Sequence, residues 1–138
     1  MAVERTLVLV KPDGMRRALA GELLARFERR GLTLRGARLL KISRAAAQEH
    51  YAEHRGKPFF AGLVSFITSG PVLALALEGE SAISVVRAMM GATNPVDSAP
   101  GTIRGDFALE LSENIVHGSD SKASAKRELA QFFPDGLV

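Results

Sequence analysis

The feature that most constrains the fold is an alternation of short apolar runs with segments of helical period. Residues 6–10 are β-branched and apolar, which is typical of a buried strand. The Lys-Pro-Asp-Gly sequence at 11–14 then predicts a loop, because it combines a strand breaker with a turn pair. From 19 to 30 apolar residues recur at helical spacing, and Gly31 stands where a C-terminal glycine cap belongs.

The rest of the chain repeats this alternation. Residues 32–42 predict a second strand with a bulge near Gly36, and Ser43 is placed to cap a helix over 44–54. A helix over 59–68, a strand over 72–77 and a helix over 81–90 follow. Residues 115–117 predict a last short strand, after which Ser119, Asp120 and Ser121 could each cap a helix that runs to 133.

This order predicts an α/β (α+β) architecture: a ferredoxin-like βαββαβ fold with a four-stranded antiparallel sheet covered by helices, plus additions. Residues 92–113 show no sustained period, and a structureless segment of that length in a compact domain is usually functional. A length of 138 residues without a linker or repeat indicates one domain over 1–138.

Composition removes several classes of chemistry. The chain has no cysteine, which excludes disulfides, thiolate metal sites and cysteine nucleophiles. It contains no apolar run of roughly 18–20 residues, and its first residues lack the architecture of a signal peptide. We therefore expect a cytoplasmic protein without a membrane partner. The net charge of +3 suits a polyanionic ligand, although a modest arginine excess commonly serves solubility alone.

A phosphate site in this chain would need scattered cations. Neither the Walker lysine-serine pair nor a glycine-rich fingerprint between a strand and a helix is present. Lys11 after the first strand, Arg87 near the end of a helix and Arg104 in the long aperiodic segment are the candidates. A lone arginine is most often a solvated surface charge, so this interpretation depends on the three acting together.

His117 is the most informative histidine. It follows an apolar pair, precedes a glycine that leaves the ring approachable, and is followed by helix-capping residues. Neutral imidazole is nucleophilic, and a nearby helix N-terminus would favour an arriving phosphoryl group. Position alone still leaves a structural histidine as the stronger alternative.

The other two histidines do not form a known metal pattern. His50 and His54 are four residues apart but lack the glutamate of a His-Glu-x-x-His site, so a zinc site is not expected and His50 is predicted to be a surface helix residue. Tyr51 and Phe59 flank the break between two helices. An aromatic residue there could stack on a base or simply pack into the core.

Taken together, these segments resemble one enzyme family. The sequence Asn-Ile-Val-His-Gly-Ser-Asp-Ser at 114–121 resembles the active-site signature of nucleoside diphosphate kinases. The resemblance covers nearly the whole chain. It includes, in order, Thr-Leu-Val-Leu-Val-Lys-Pro-Asp-Gly, His-Tyr-Ala-Glu-His, Pro-Phe-Phe, Phe-Ile-Thr-Ser-Gly-Pro, Gly-Ala-Thr-Asn-Pro and Gly-Thr-Ile-Arg-Gly-Asp-Phe.

The resemblance implies a ping-pong reaction in which a nucleoside triphosphate phosphorylates His117 and a nucleoside diphosphate takes the group back. It implies that Glu128 holds the second ring nitrogen of His117 and that Tyr51 helps to align the ring. The implied phosphate ligands are Lys11, Arg87, Thr93 and Arg104. His54 is implied to lie near the phosphates as well.

The resemblance also implies how the rest of the nucleotide is held. Phe59 matches the aromatic residue on which the base stacks, and Asn114 matches a residue that bonds the sugar. Mg²⁺ would be held mainly by phosphates and water, with Asp120 reaching it through water. Members of the family are hexamers or tetramers, and Pro95 matches a segment between subunits, so a homo-hexamer is preferred and a tetramer is the alternative.

Two other functions fit the same topology. A nucleic-acid-binding module of ferredoxin-like fold is disfavoured because the strands lack an aromatic RNP pattern and the basic residues are scattered. A catalytically silent scaffold would be expected to have lost the histidine or a phosphate ligand, and none of these matches is lost.

Overall fold

A four-stranded antiparallel sheet forms the centre of the molecule. The computed structural model describes residues 2–138. The strands are β1 (Val3–Val10), β2 (Thr33–Leu40), β3 (Val72–Glu80) and β4 (Val116–Gly118). Their order in the sheet is β2-β3-β1-β4, and every neighbouring pair is antiparallel. The predicted ferredoxin-like α+β architecture is confirmed.

Seven α-helices occur within residues 2–138. They are α1 (Pro12–Arg16), α2 (Ala20–Arg30), α3 (Arg44–His50), α4 (Phe60–Ile67), α5 (Ala82–Met90), α6 (Ile103–Phe107) and α7 (Lys122–Phe132). Single 3-10 turns lie at Ala52–His54 and Pro95–Asp97. None of these helices is long and apolar enough to cross a membrane.

Helices cover both faces of the sheet because β1 is apolar on both faces. Val8 and Val10 of β1 belong to one hydrophobic cluster, which also contains buried side chains of α2 and α5. Leu7 and Leu9 belong to a second cluster with buried residues of α3, α4 and α7. A strand that is buried on both sides reads as a continuous apolar run, as residues 6–10 do.

Local signals placed most of the element ends correctly. The β2–β3 register shifts between Leu34 and Gly36, as the glycine predicted. A side chain at Gly36 would collide with Phe133, since a Cβ there would lie 2.9 Å from the ring. The hydroxyls of Ser43 and Ser121 accept the backbone N–H groups of Ala46 and Ser124, so both serines cap the helices that follow them.

Two predictions about irregular segments were wrong. Residues 11–14 are not simply a loop, because α1 begins at Pro12, a residue that the first turn of a helix tolerates. The aperiodic segment 92–113 contains the Pro95–Asp97 turn and α6, which Thr102 caps. A helix of five residues spans little more than one turn, so it shows no detectable period in the sequence.

Candidate active site

A single deep cleft contains most of the predicted site. It has a volume of about 1320 Å³, enough for a nucleotide. Nine predicted site residues line it: Lys11, Tyr51, His54, Phe59, Arg87, Thr93, Arg104, Asn114 and His117. Glu128 contacts His117 from outside the lining, and Asp120 is an exposed residue ahead of α7 that does not line the cleft. The water-mediated metal contact of Asp120 therefore stays a prediction.

His117 is held at the middle of β4 with its ring partly exposed to the cleft. It pairs with Leu9 of β1, and 24% of its side chain is exposed. Its Nε2 lies 3.0 Å from Oε1 of Glu128, a buried carboxylate on α7. A carboxylate can only accept, so Nε2 carries the proton and Nδ1 keeps the free electron pair.

The carboxylate that orients His117 is itself well supported. Ser119 Oγ donates to the same Glu128 oxygen at 2.7 Å. Burial raises the pKa of Glu128, but the hydrogen bond and electrostatic interaction with His117, together with the hydrogen bond from Ser119, oppose burial, and the pKa lies below its usual range. Glu128 is thus an anion that faces the histidine. The sequence predicts Ser119 only as a possible helix cap, so this contact with Glu128 is a finding of the structure.

Lys11 and Asn114 form the next part of the cleft wall. The Lys11 ammonium donates to Asn114 Oδ1, and Asn114 Nδ2 donates to the Thr93 carbonyl at 2.9 Å. Burial lowers the pKa of Lys11 to about 8, the charge of Asp13 opposes that shift, and Arg104 adds to it. A buried ammonium in a cleft is well suited to bind an anion.

Arg104 has a structural role in addition to the phosphate contact that the resemblance implies, and that contact stays a prediction. Arg104 is buried, and its guanidinium donates to four backbone carbonyls, those of Gly91, Ala92, Asn114 and Val116. Burial lowers its pKa to about 10, and the neighbouring Arg87 contributes to that shift. Arg104 therefore ties the segment after α5 to the start of β4, and it still borders the cleft.

The backbone between Asn114 and Val116 is strained. Ile115 has a φ of +74°, and the Val116 N–H donates to the Asn114 carbonyl at 2.8 Å, which makes the segment a γ-turn centred on Ile115. This left-handed region disfavours a β-branched residue, at a cost of about 1–3 kcal/mol. The surrounding contacts must hold the turn in place.

His50 is buried, so its prediction as a surface residue was wrong. Its ring lies edge-on to those of Tyr51, His117 and Phe132, at centroid distances of 4.7, 4.8 and 5.6 Å. Burial, with a smaller contribution from His117, lowers the pKa of His50 to about 3. His50 is therefore neutral in the folded protein at every pH near neutrality.

This burial predicts a loss of stability in mild acid. The unfolded chain binds a proton on His50 near pH 6.5 and the folded chain only near pH 3, so the free energy of unfolding falls as pH drops through that window. We expect about 2 kcal/mol of loss between pH 8 and pH 5 from this residue. Urea unfolding of His50→Phe should show a correspondingly smaller loss, whereas His54→Ala should keep it. Equal pH dependence in wild type and His50→Phe would contradict the prediction.

One wall of the cleft is aromatic. The rings of His54 and Phe59 have centroids 5.3 Å apart, and those of Tyr51 and His54 are 6.4 Å apart. Phe59 is 50% exposed, which is unusual for an aromatic residue that serves only the core. Burial raises the pKa of Tyr51 to about 12, so its phenol stays protonated.

Only one group of side chains in residues 2–138 has the spacing of metal ligands, namely His50, His117 and Glu128. Two imidazoles and a carboxylate that already accepts two hydrogen bonds are not the oxygen ligands that Mg²⁺ prefers. The cleft around them carries Lys11, Arg87 and Arg104 instead. The site is thus suited to an anion that brings its own divalent cation.

Comparison with known proteins agrees with this geometry. Residues 4–138 match the family model described as nucleoside diphosphate kinase. A nucleoside diphosphate kinase of Thermus thermophilus is 59% identical over 137 residues, which cover 99% of this chain and all of the relative. One of Archaeoglobus fulgidus is 57% identical over 136 residues, 99% of this chain and 90% of the relative.

Solved structures show the same fold. The Halobacterium salinarum nucleoside diphosphate kinase in complex with CDP has a TM-score of 0.96 and 52% identity, covering 99% of this chain and 92% of that one. A family protein from Babesia bovis has a TM-score of 0.95 and 48% identity, covering 98% and 92%. The match spans the sheet, the cleft and α7 alike, and the chain belongs to the nucleoside diphosphate kinase family.

Proposed function

We propose that this chain transfers the γ-phosphoryl group of a nucleoside triphosphate to a nucleoside diphosphate through a phosphohistidine at His117. The observation that carries the proposal is the hydrogen bond between His117 Nε2 and the buried Glu128 carboxylate. This bond leaves Nδ1 unprotonated, and the ring is exposed to a cleft lined by cations.

The first half-reaction follows from this geometry. The Nδ1 electron pair attacks the γ-phosphorus, an N–P bond forms, and the bond from phosphorus to the bridging oxygen breaks, so that a nucleoside diphosphate leaves. The Nε2 proton stays in place, and the positive charge that develops on the ring faces the Glu128 carboxylate. In the second half-reaction a terminal oxygen of another diphosphate attacks the same phosphorus, and the N–P bond breaks.

The cleft cations supply most of the stabilisation in this proposal. The loose transition state of phosphoryl transfer spreads charge over the equatorial oxygens, and fixed positive groups stabilise it. Lys11 and Arg87 line the cleft together with the anchored Arg104. Thr93 and His54 border the same space and would contact the phosphates.

Mg²⁺ fits this site only as part of a magnesium nucleotide. A bound Mg²⁺ would neutralise phosphate charge and orient the oxygens for in-line transfer. The cleft lining contains two carboxylates, Glu110 and Glu113, and Glu113 pairs with Arg16 at 3.3 Å. Asp120 is the residue we propose to reach the ion through water.

The base is proposed to stack on Phe59, and Asn114 is proposed to bond the sugar. A half-exposed ring at the mouth of the cleft offers a surface to any base, because stacking requires no hydrogen-bond pattern. The proposal therefore includes transfer among purine and pyrimidine nucleotides alike.

Replacing Phe59 by alanine is therefore expected to raise KM by roughly 10- to 100-fold for ATP, GTP and CTP alike, the usual cost of one lost stacking partner. Steady-state kinetics with the three nucleotides would measure this effect. Val3→Ala removes an apolar side chain that is even more exposed, at 67%, but does not line the cleft, and it should change none of the constants. An increase in KM for only one base would contradict simple stacking.

A homo-hexamer is the assembly we propose, with a tetramer as the alternative. Val96 beside Pro95 is 79% exposed, and Leu109 farther along the same segment is 86% exposed. Exposed apolar side chains of this size are commonly covered by another chain. Analytical ultracentrifugation would distinguish the two assemblies by mass.

Incubation with γ-labelled ATP and magnesium tests the proposed function directly. We expect label on the protein that is acid-labile, stable in alkali, absent from His117→Ala, and chased into GTP when GDP is added. A folded wild-type protein that takes up no label would overturn the proposal and favour a silent scaffold. Label that persists in His117→Ala would place the covalent intermediate elsewhere.

A further inference from the structure

Asp13 is a buried carboxylate that the reaction as described does not use. It lies in the first turn of α1, is 2% exposed, and does not line the cleft. Among residues 2–138 no basic side chain forms a salt bridge with it, and its Oδ1 has no hydrogen-bond partner. Burying a carboxylate with so few partners is costly, so its presence requires a physical reason.

The other carboxylate oxygen holds the strained turn. Asp13 Oδ2 accepts the Ile115 N–H at 2.9 Å, and the Lys11 N–H donates to the Ile115 carbonyl at 2.8 Å. Both polar groups of the Ile115 backbone are thus fixed by the junction between β1 and α1. Gly14 packs against the same residue, since a Cβ there would lie 3.1 Å from the Ile115 carbonyl oxygen.

The turn lies between two groups of the active site. Asn114 before it contacts the Lys11 ammonium and the Thr93 carbonyl. After it, Val116 begins β4 and His117 follows. A relaxation of φ at Ile115 from +74° to the ordinary negative region would reorient Asn114 relative to His117.

We infer that Asp13 is a positioning residue for phosphoryl transfer, whose carboxylate holds Ile115 in its γ-turn and thereby sets Asn114 and His117 relative to each other. The inference rests on the proposed function of the same cleft. Asp13 does not touch the reacting atoms, so its effect on the reaction passes through the turn.

The charge of Asp13 has a second, separable consequence. It raises the pKa of Lys11 against the effect of burial, while Arg104 lowers that pKa. An asparagine at position 13 keeps an oxygen for the Ile115 N–H but loses this charge. The kinetics of wild type and Asp13→Asn should therefore be compared at pH 6.5. This pH lies well below the Lys11 pKa of about 8, so Lys11 stays protonated and the loss of charge at position 13 matters least.

The test compares Asp13→Ala, Asp13→Asn and Leu23→Ala in single-turnover labelling of His117. Leu23 is a buried core residue of α2 outside the cleft, in the same hydrophobic cluster as Ile115, so its truncation destabilises the fold but removes no hydrogen bond of the turn. We expect Asp13→Ala to form phosphohistidine about 100-fold more slowly, since misplacement by about 1 Å has an effect of that size. Asp13→Asn should stay within about tenfold of wild type, because a neutral acceptor is weaker but correctly placed. Leu23→Ala should label at the wild-type rate.

Amide hydrogen exchange provides a readout that does not depend on activity. In Asp13→Ala the Ile115 amide should exchange at least about tenfold faster than in wild type. In Leu23→Ala the Ile115 amide should lose no more protection than the amides of the core do. An Asp13→Ala protein that labels as fast as wild type, or one that slows only as much as Leu23→Ala, would overturn the inference.

Failure of the proposed function would look different. If wild type takes no label, the proposal of a phosphohistidine intermediate is wrong, independently of the role of Asp13. The exchange of the Ile115 amide still tests whether the Asp13 carboxylate holds the turn. If wild type is labelled and the Asp13→Ala rate and exchange are unchanged, only the role of Asp13 is wrong.

Discussion

Replacing Glu128 by glutamine is expected to slow phosphoryl transfer by about 10²–10⁴-fold while changing nucleotide binding little. The glutamine amide can present an N–H to His117 Nε2, which favours the tautomer with its proton on Nδ1. That tautomer has no electron pair at the attacking atom. The variant also removes the negative charge that faces the developing imidazolium, at a position with 5% of its side chain exposed.

The prediction separates kcat from KM. Glu128 lies outside the cleft lining, so binding should persist while kcat and the single-turnover rate fall together. Ser119→Ala is the matched control: it removes the 2.7 Å hydrogen bond to the same oxygen but keeps the carboxylate, so its loss should be much smaller. A Glu128→Gln enzyme with wild-type kcat would show that His117 does not depend on the carboxylate for its tautomer.

Local patterns were sufficient for the sheet and for the position of His117. The continuous apolar run of β1 predicts a strand buried on both faces, and that strand pairs with β4 through Leu9 and His117. The distance between His117 and Glu128 could not be predicted from pattern, because it depends on how α7 packs against the sheet. Resemblance to the family supplied that pairing.

The burial of His50 could have been found in the sequence. Ala47 and His50 are three residues apart on α3, so they share a helix face, and both are buried. The prediction of a surface histidine followed from the absence of a zinc pattern, and residue type does not decide the matter because histidine is intermediate in burial. The position of His50 on the same helix face as the apolar Ala47 was a better predictor of its burial than its residue type.

The role of Arg104 and the strain at Ile115 were not predictable from local sequence. The four carbonyls that Arg104 binds belong to residues 10 to 13 positions away, in a segment without detectable period. The γ-turn at Ile115 violates the local preference of a β-branched residue. Such violations occur where tertiary contacts outweigh local propensity, and here the contacts come from Asp13 and Lys11.

Replacing Arg104 by lysine is expected to reduce the free energy of unfolding by about 2–4 kcal/mol, even though the charge is kept. The planar guanidinium of Arg104 donates to the four carbonyls from three separate nitrogens. A lysine carries its three donors on a single nitrogen and cannot reach all four carbonyls. At least one buried carbonyl would then be left without a partner. Urea unfolding without nucleotide would measure the loss, and Arg30→Lys, an exposed exchange at the end of α2, should leave stability unchanged.

The same variant tests whether Arg104 acts only on phosphate. Because Arg104 binds the carbonyls of Asn114 and Val116 on either side of Ile115, its loss should also loosen the turn that carries the active site. Activity should therefore fall at temperatures where Arg104→Lys is fully folded, and the Ile115 amide should exchange faster. Wild-type stability and exchange combined with a loss of nucleotide affinity would instead show that Arg104 acts through direct guanidinium contacts to the phosphates, and that the turn is held by Asp13 and Lys11 without it.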